Sequence, residues 1–146
     1  MKILFDTDIL SDLFFDRVPY SENIGKILSL CEQKIVTGCV TALSINNLYI
    51  LLRQNAKQDK VLDKLRLLVS ILEIITIDQN VVLSALNYPF NDFEVAIQNY
   101  ATKENGQINI LITQNTKKYS QSDLTIMNPT DFLKFFNSIS ETKEKY

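Results

Sequence analysis

The chain has 146 residues, 46% of them hydrophobic and 22% charged, with a formal net charge of −2, figures that suit one compact domain. It contains no histidine and no tryptophan, which excludes Ser-His-Asp and Cys-His catalytic units, imidazole bases and His-containing zinc sites. With glycine only at Gly25, Gly38 and Gly106, neither a Walker loop nor a GxGxxG fingerprint can be written, so chemistry falls to carboxylates, lysine, cysteine, tyrosine and hydroxyls.

Residues 2–5 (KILF) form a short apolar run that predicts a buried strand ending in a carboxylate, Asp6. A helix is predicted next, capped by Thr7 or Asp8, with Ile9, Leu10, Leu13 and Phe14 as its apolar stripe and Asp8, Asp12 and Asp16 on the other side. After a turn at 17–20, Ser21 opens a second helix with Ile24, Ile27, Leu28, Leu30 and Cys31 as its apolar positions. Residues 35–40 predict the second strand, 43–54 and 57–70 two further helices, and 72–77 a third strand rich in β-branched residues. A short helix over 79–87 is predicted to stop before Pro89, and another over 92–104 to stop at Asn105-Gly106. Strands at 109–113 and 124–127 follow, and Pro129 opens a last helix through Phe135 or Phe136.

Strands and helices thus alternate along the whole length. Each parallel crossover needs a helix, so the pattern predicts an α/β fold: a three-layer α/β/α sandwich around a central parallel sheet of about five strands. One domain over 1–139 is expected, with 140–146 a polar, frayed tail. Cys31 and Cys39 fall short of a disulfide framework and read as reduced, buried small hydrophobes. Asp6 and Asp8 interrupt any signal-peptide core, and no uncharged apolar run reaches the roughly 18 residues of a membrane span. A cytoplasmic protein without membrane contact is expected.

In open parallel sheets, ligands bind beyond the carboxyl ends of the strands. There the chain places Asp6-Thr7-Asp8 after the first strand, Thr41, Ser44, Asn46 and Asn47 after the second, and Thr113-Gln114-Asn115 after the fourth. Asn91-Asp92-Phe93-Glu94, opening a helix, adds carboxylates if that end faces the same crevice. Converging carboxylates without histidine suit a hard divalent cation, Mg²⁺ or Mn²⁺, and metal-assisted phosphodiester hydrolysis is the matching reaction class. Plainer roles stand beside these. Asp8, Asp12 and Asp16 have the spacing of a solvated helix face, and Asn91 with Glu94 that of a capping box, with Asp92 suited to the helix dipole. Arg53, Lys57, Lys60, Lys64 and Arg66 make a locally basic stretch, a solvated face by default and an RNA- or partner-binding rim as the alternative. In the helix from Asp92, the stripe Phe93, Ala96, Ile97, Tyr100 and Ala101 is predicted to face inward. That puts Val95 among Gln98, Asn99 and Thr102 on the opposite, polar face, where an apolar residue is out of place.

Four segments in this order and spacing, KILFDTDILSDLF, TALSINNLYILLR, NDFEVAIQNYATKENGQINILITQNTKKY and TIMNPTDFL, together resemble a PIN domain of the kind found in VapC-like toxins. The resemblance covers about residues 1–136. It implies a parallel sheet flanked by helices and a Mg²⁺- or Mn²⁺-dependent endoribonuclease site of three or four acidic residues. It also implies RNA as substrate, a small antitoxin whose tail enters the site, and a homodimer. Matched by position, the first family aspartate is Asp6 and the residue two places on is Asp8; the next acidic position falls at Asn46 or Asn47. The DFED-type segment reads Asp92-Phe93-Glu94, with Val95 in place of the last acid, usually the core metal ligand. The TRN or TRD segment reads Thr113-Gln114-Asn115, and the DF that follows reads Lys118-Tyr119.

Two readings follow. In the first, Asp6 and Asp92 are the catalytic acids, Asp6, Asp92 and Glu94 hold one Mg²⁺ or Mn²⁺, and Asp8, Asn47, Thr113 and Asn115 bind the substrate of a weak or specialised ribonuclease. In the second, Val95 and Asn115 at acid positions, with the opposing charge of Lys118, leave a site that binds RNA or a protein partner without cleaving.

Overall fold

The computed structural model describes residues 1–88 and 90–144. In chain order the elements are β1 (Lys2–Phe5), α1 (Thr7–Phe14), α2 (Tyr20–Glu32), β2 (Thr37–Thr41), α3 (Ala42–Arg53), α4 (Gln58–Ile71) and β3 (Glu73–Ile75). They continue with α5 (Gln79–Asn87), α6 (Phe93–Asn105), β4 (Ile110–Ile112), a 3-10 helix (Thr116–Tyr119), β5 (Ile126–Met127) and α7 (Pro129–Glu144). The strands form one parallel sheet in the order β3-β2-β1-β4-β5.

Alternate residues of each strand point to opposite faces, and this splits the core in two. Ile3, Phe5, Val40, Ile110 and Ile112 face one way, against Ile9 and Leu10 of α1, Ile24 and Ile27 of α2, Leu48 of α3, Val61 and Leu65 of α4 and Phe132 of α7. Leu4, Cys39 and Leu111 face the other way, against Val81 and Ala85 of α5, the apolar residues of α6, and Tyr119. Both sheet faces are therefore covered, and the side chains that the central strands send into both faces, Ile3, Leu4, Phe5, Cys39, Val40 and Leu111, are apolar, as suits a parallel sheet. Packing on the first face is close at Gly38, where a Cβ would come within 2.6 Å of Leu72 and 2.7 Å of Cys31.

Every predicted strand and helix is present among the described residues, β1 with the bounds expected and the other four strands shorter than their predicted runs. Three local expectations are corrected. The cap of α1 is Asp6, not Thr7 or Asp8. Asp12 is buried rather than solvated, because the chain turns back after α1 and pairs the Arg17 guanidinium with it at 2.9 Å. The last helix continues past Phe136 through most of the expected tail, as Ser140 and Thr142 donate their hydroxyls back to the carbonyls of Phe136 and Ser138. Residues 145–146 of that tail, and Pro89 as the stop after α5, lie outside the described residues. No described helix is long and apolar enough to cross a membrane.

Candidate functional site

The chain lays β2 and β3 on one side of β1 and later adds β4 and β5 on the other, so the strand order reverses between β1 and β4. A crevice opens at the carboxyl ends of such a pair. Asp6 leaves β1 there, its N–H bonded to the Ile112 carbonyl at 2.9 Å, and Thr113 leaves β4 beside it. Because Asp6 is also the cap of α1, one of its oxygens is fixed by the Thr7 N–H at 2.8 Å. The other accepts from the Thr113 hydroxyl at 3.0 Å and faces Lys118 Nζ at 3.2 Å.

Asp8, in the first turn of α1, reaches the same two groups: its Oδ2 lies 3.1 Å from the Thr113 hydroxyl and 3.4 Å from Lys118 Nζ. The Gln114 N–H also donates to it, at 3.2 Å. Burial, and then the charge of Asp6, raise the Asp8 carboxyl above its ordinary value, against the pull of Lys118 and the two hydrogen-bond donors. Burial works against the charge on Lys118, but Asp6 and Asp8 outweigh it and hold the ammonium above its ordinary value. Tyr119, next in the chain, is buried, and its hydroxyl meets no hydrogen-bond partner of good geometry among the described residues. Burial first, then nearby Asp6, push this phenol up, so it stays protonated.

The other wall is α6, and here two expectations change. The Asn91–Glu94 capping box does not form. Asp92 is the cap, its Oδ1 accepting from the Val95 N–H at 3.1 Å, which puts Glu94 one residue too early to reach back. Glu94 instead accepts from the Thr7 hydroxyl at 2.9 Å. The helix is also turned relative to its predicted stripe: Val95, Gln98, Asn99 and Thr102 are buried together with Ala96, Ile97 and Ala101, while Phe93 is 52% exposed. The polar face is inward because its groups find partners. The Thr41 hydroxyl donates to Gln98 Oε1 at 2.6 Å, and Gln98 Nε2 donates to Ser44 Oγ at 2.7 Å. The Ser44 and Thr7 hydroxyls lie 2.8 Å apart, so an unbroken chain of hydrogen bonds runs from β2 through α6 and α3 to Glu94.

Between these walls lies a cavity of about 340 Å³, lined by Asp6, Thr7, Asp8, Ser11, Arg17, Leu51, Asp92, Glu94, Val95 and Lys118. Of the residues singled out in the sequence, Asp6, Asp8, Asp92 and Glu94 are brought together here, and Thr113 stands behind the first two. Asn47, half-buried on α3, and Asn115, exposed at the start of the 3-10 helix, do not line it. Sequence reasoning missed Arg17 and Gln98. For Arg17 the signal was its place five residues after Asp12; for Gln98 no local signal exists, since its partners are 54 and 57 residues away.

A Mg²⁺ or Mn²⁺ ion asks for several oxygens directed at one point. Lys118 Nζ stands against both Asp6 and Asp8, Val95 presents hydrocarbon, Asp92 serves the end of α6 and Glu94 serves Thr7. Among the described residues no three Asp, Glu or Cys side chains are grouped as ligands would be. As they stand, these donors do not fit a divalent ion. The cavity remains acidic, with four carboxylates against Lys118 and Arg17.

A family model, the PIN domain, matches residues 2–117. Among solved structures the chain is similar to VapBC2 from Rickettsia felis bound to a DNA fragment from their promoter, with a TM-score of 0.62 and 19% identity over 88% of this chain and 98% of that one. It is similar to VapBC-1 from nontypeable Haemophilus influenzae, with a TM-score of 0.66 and 14% identity over 89% and 99% of the two chains. DNA-bound VapBC from Salmonella typhimurium gives a TM-score of 0.67 and 14% identity over 88% and 98%. No curated protein matches the chain by sequence. At such identities a structural likeness speaks for the fold alone, while the domain match spans every strand but β5 and every residue lining the cavity except Lys118. The chain belongs to the PIN-domain family.

Proposed function

We propose that the protein is the PIN-domain member of a toxin–antitoxin-type pair, and that it works by holding a small antitoxin-like partner at its acidic cavity rather than by cutting RNA. The observation that carries this reading is how the carboxylates are engaged: Asp6 and Asp8 share Lys118, while Asp92 and Glu94 each give one oxygen to α6 and Thr7, so the acids are divided among separate partners instead of converging on one ion. A cavity with four acids against two bases attracts a cationic side chain of a partner and, without a metal, repels the phosphates of RNA. The VapBC assemblies among the structural neighbours support a partner of this kind, and a homodimer belongs to the same proposal.

The competing reading is a Mg²⁺- or Mn²⁺-dependent ribonuclease using Asp6 and Asp92. It draws on the fact that Asp6, Asp8, Asp92 and Glu94 all line one cavity beyond β1. An RNA-cleavage assay separates the two. Wild type and Asp6→Asn are expected to be indistinguishable with and without Mg²⁺ or Mn²⁺. A small protein encoded beside this chain is expected, and it should copurify, with an affinity that falls steeply in salt and about tenfold in Glu94→Gln. Metal-dependent cleavage abolished by Asp6→Asn would overturn the proposal.

A further inference from the structure

We infer that Lys118 is a built-in replacement for a metal ion: its ammonium, and no divalent cation, holds Asp6 and Asp8 together in the working protein. Two carboxylates that approach one threonine hydroxyl to 3.0 and 3.1 Å repel each other and need a positive charge between them. The structure supplies that charge from its own chain, at 3.2 Å from Asp6 Oδ2 and 3.4 Å from Asp8 Oδ2. This is not an ordinary surface ion pair. The Asp6 side chain is 4% exposed and Lys118 serves two acids at once, whereas an exposed pair joins two solvated groups and contributes little.

Lys118 is also delivered to this place by the fold. It lies in the 3-10 helix that follows β4, with its N–H bonded to the Asn115 carbonyl at 3.1 Å. The next residue, Tyr119, is 2% exposed and packed in the core cluster of the α6 face, which pins the turn and keeps Lys118 at the mouth of the crevice. The other base of the cavity, Arg17, is engaged with Asp12 at 2.9 Å. Among the cavity residues, Lys118 is thus the one cation in contact with Asp6 and Asp8, and a tethered ammonium blocks the approach of a hydrated ion to the oxygens it would need. The inference shares with the partner reading the contact of Lys118 with Asp6 and Asp8, but it does not require a partner.

Thermal melts of the full chain test it, run in chelator and in millimolar MnCl₂. The wild type is expected to melt at the same temperature in both. Lys118→Met is expected to melt about 6 °C lower in chelator, because buried Asp6 loses its counter-charge, and to regain most of that loss in MnCl₂. Lys118→Arg, which keeps the charge, is expected to ignore the metal. A wild type stabilised by MnCl₂ as strongly as Lys118→Met would overturn the inference, as would a Lys118→Met protein indifferent to both conditions. Should Lys118→Met unfold in chelator, refolding on adding MnCl₂ supports the inference and failure to refold overturns it. A wild type that binds Mn²⁺ yet cuts no RNA defeats this inference and leaves the partner reading standing; a metal-blind protein without a partner does the reverse.

Discussion

Val95 is 4% exposed and belongs to the cluster of Leu4, Cys39 and Ile97, yet it also lines the acidic cavity. Its valine makes that corner a piece of core rather than a place for charge. Val95→Asp puts a further carboxylate in a buried position beside Glu94 and is expected to cost about 2–3 kcal/mol in urea unfolding with chelator present. With Lys118 in place MnCl₂ should not restore the loss; in the double variant Val95→Asp/Lys118→Met it should. Restoration in Val95→Asp alone would show that Lys118 is not the barrier to metal. Periodicity flags Val95 as out of place on a polar face, and that much is legible in the sequence. Its direction is not, because a run of polar residues reads as solvated unless their distant partners, here Thr41 and Ser44, are known. The same holds for Asp12, whose burial depends on a turn that returns Arg17 to it.

At the scale of elements, α6 is held to β2 and α3 by hydrogen bonds as much as by packing. Thr41 both caps α3, accepting from the Ser44 N–H at 3.2 Å, and donates to Gln98, so its hydroxyl joins two elements. Thr41→Val is expected to lose about 2 kcal/mol, and Gln98→Leu a similar amount. Each leaves the other's buried partner unsatisfied, so the double variant should lose less than the sum by about 1 kcal/mol. Strict additivity in a double-mutant cycle by urea unfolding would refute the shared network. Local apolar spacing does not mark the 3-10 helix at Thr116–Tyr119, but the existence and type of the α-helices and strands follow from it, which explains why they are legible. Their ends are not, since a cap one residue earlier or later preserves the spacing; Asp92 rather than Asn91 as cap is enough to turn Glu94 from a capping group into a wall of the cavity.

For the whole molecule, several groups lose protons less readily in the folded state. Burial, with Cys39 next in weight, pushes the Cys31 thiol from 9.0 up to about 12. Burial, then Glu73, raises Cys39, and Tyr119 is raised as described. Lys118 is raised by its carboxylates. The unfolded chain releases these protons at their ordinary values, so above about pH 9 it binds fewer protons than the folded one, and stability must fall as pH rises. The urea midpoint is expected to hold from neutrality to about pH 9 and to decline beyond it, with the onset delayed in Cys31→Ala. A midpoint that rises between pH 9 and 11 would reverse the sign. Fold class is the most legible property at this scale, because alternating strands and helices admit few arrangements. The site is half legible: position beyond a strand end marks Asp6 and Asp8, but the distance from Lys118 to them depends on how the turn after β4 is anchored.

The sheet order has a consequence for the making of the protein. β1 precedes the other four strands of the sheet in the sequence, yet it ends in the centre of the sheet, and its second neighbour, β4, begins at Ile110. Until then one edge of β1 is unpaired, and Asp6 lacks the Thr113 hydroxyl, 107 residues away, and the Lys118 charge. A chain stopped before β4 therefore has the four acids of the crevice without the groups that hold Asp6 and Asp8 in place. Anything that recognises the finished crevice responds to a sheet in which β1 and β4 have already joined, so the site reports on the pairing of strands far apart in the sequence.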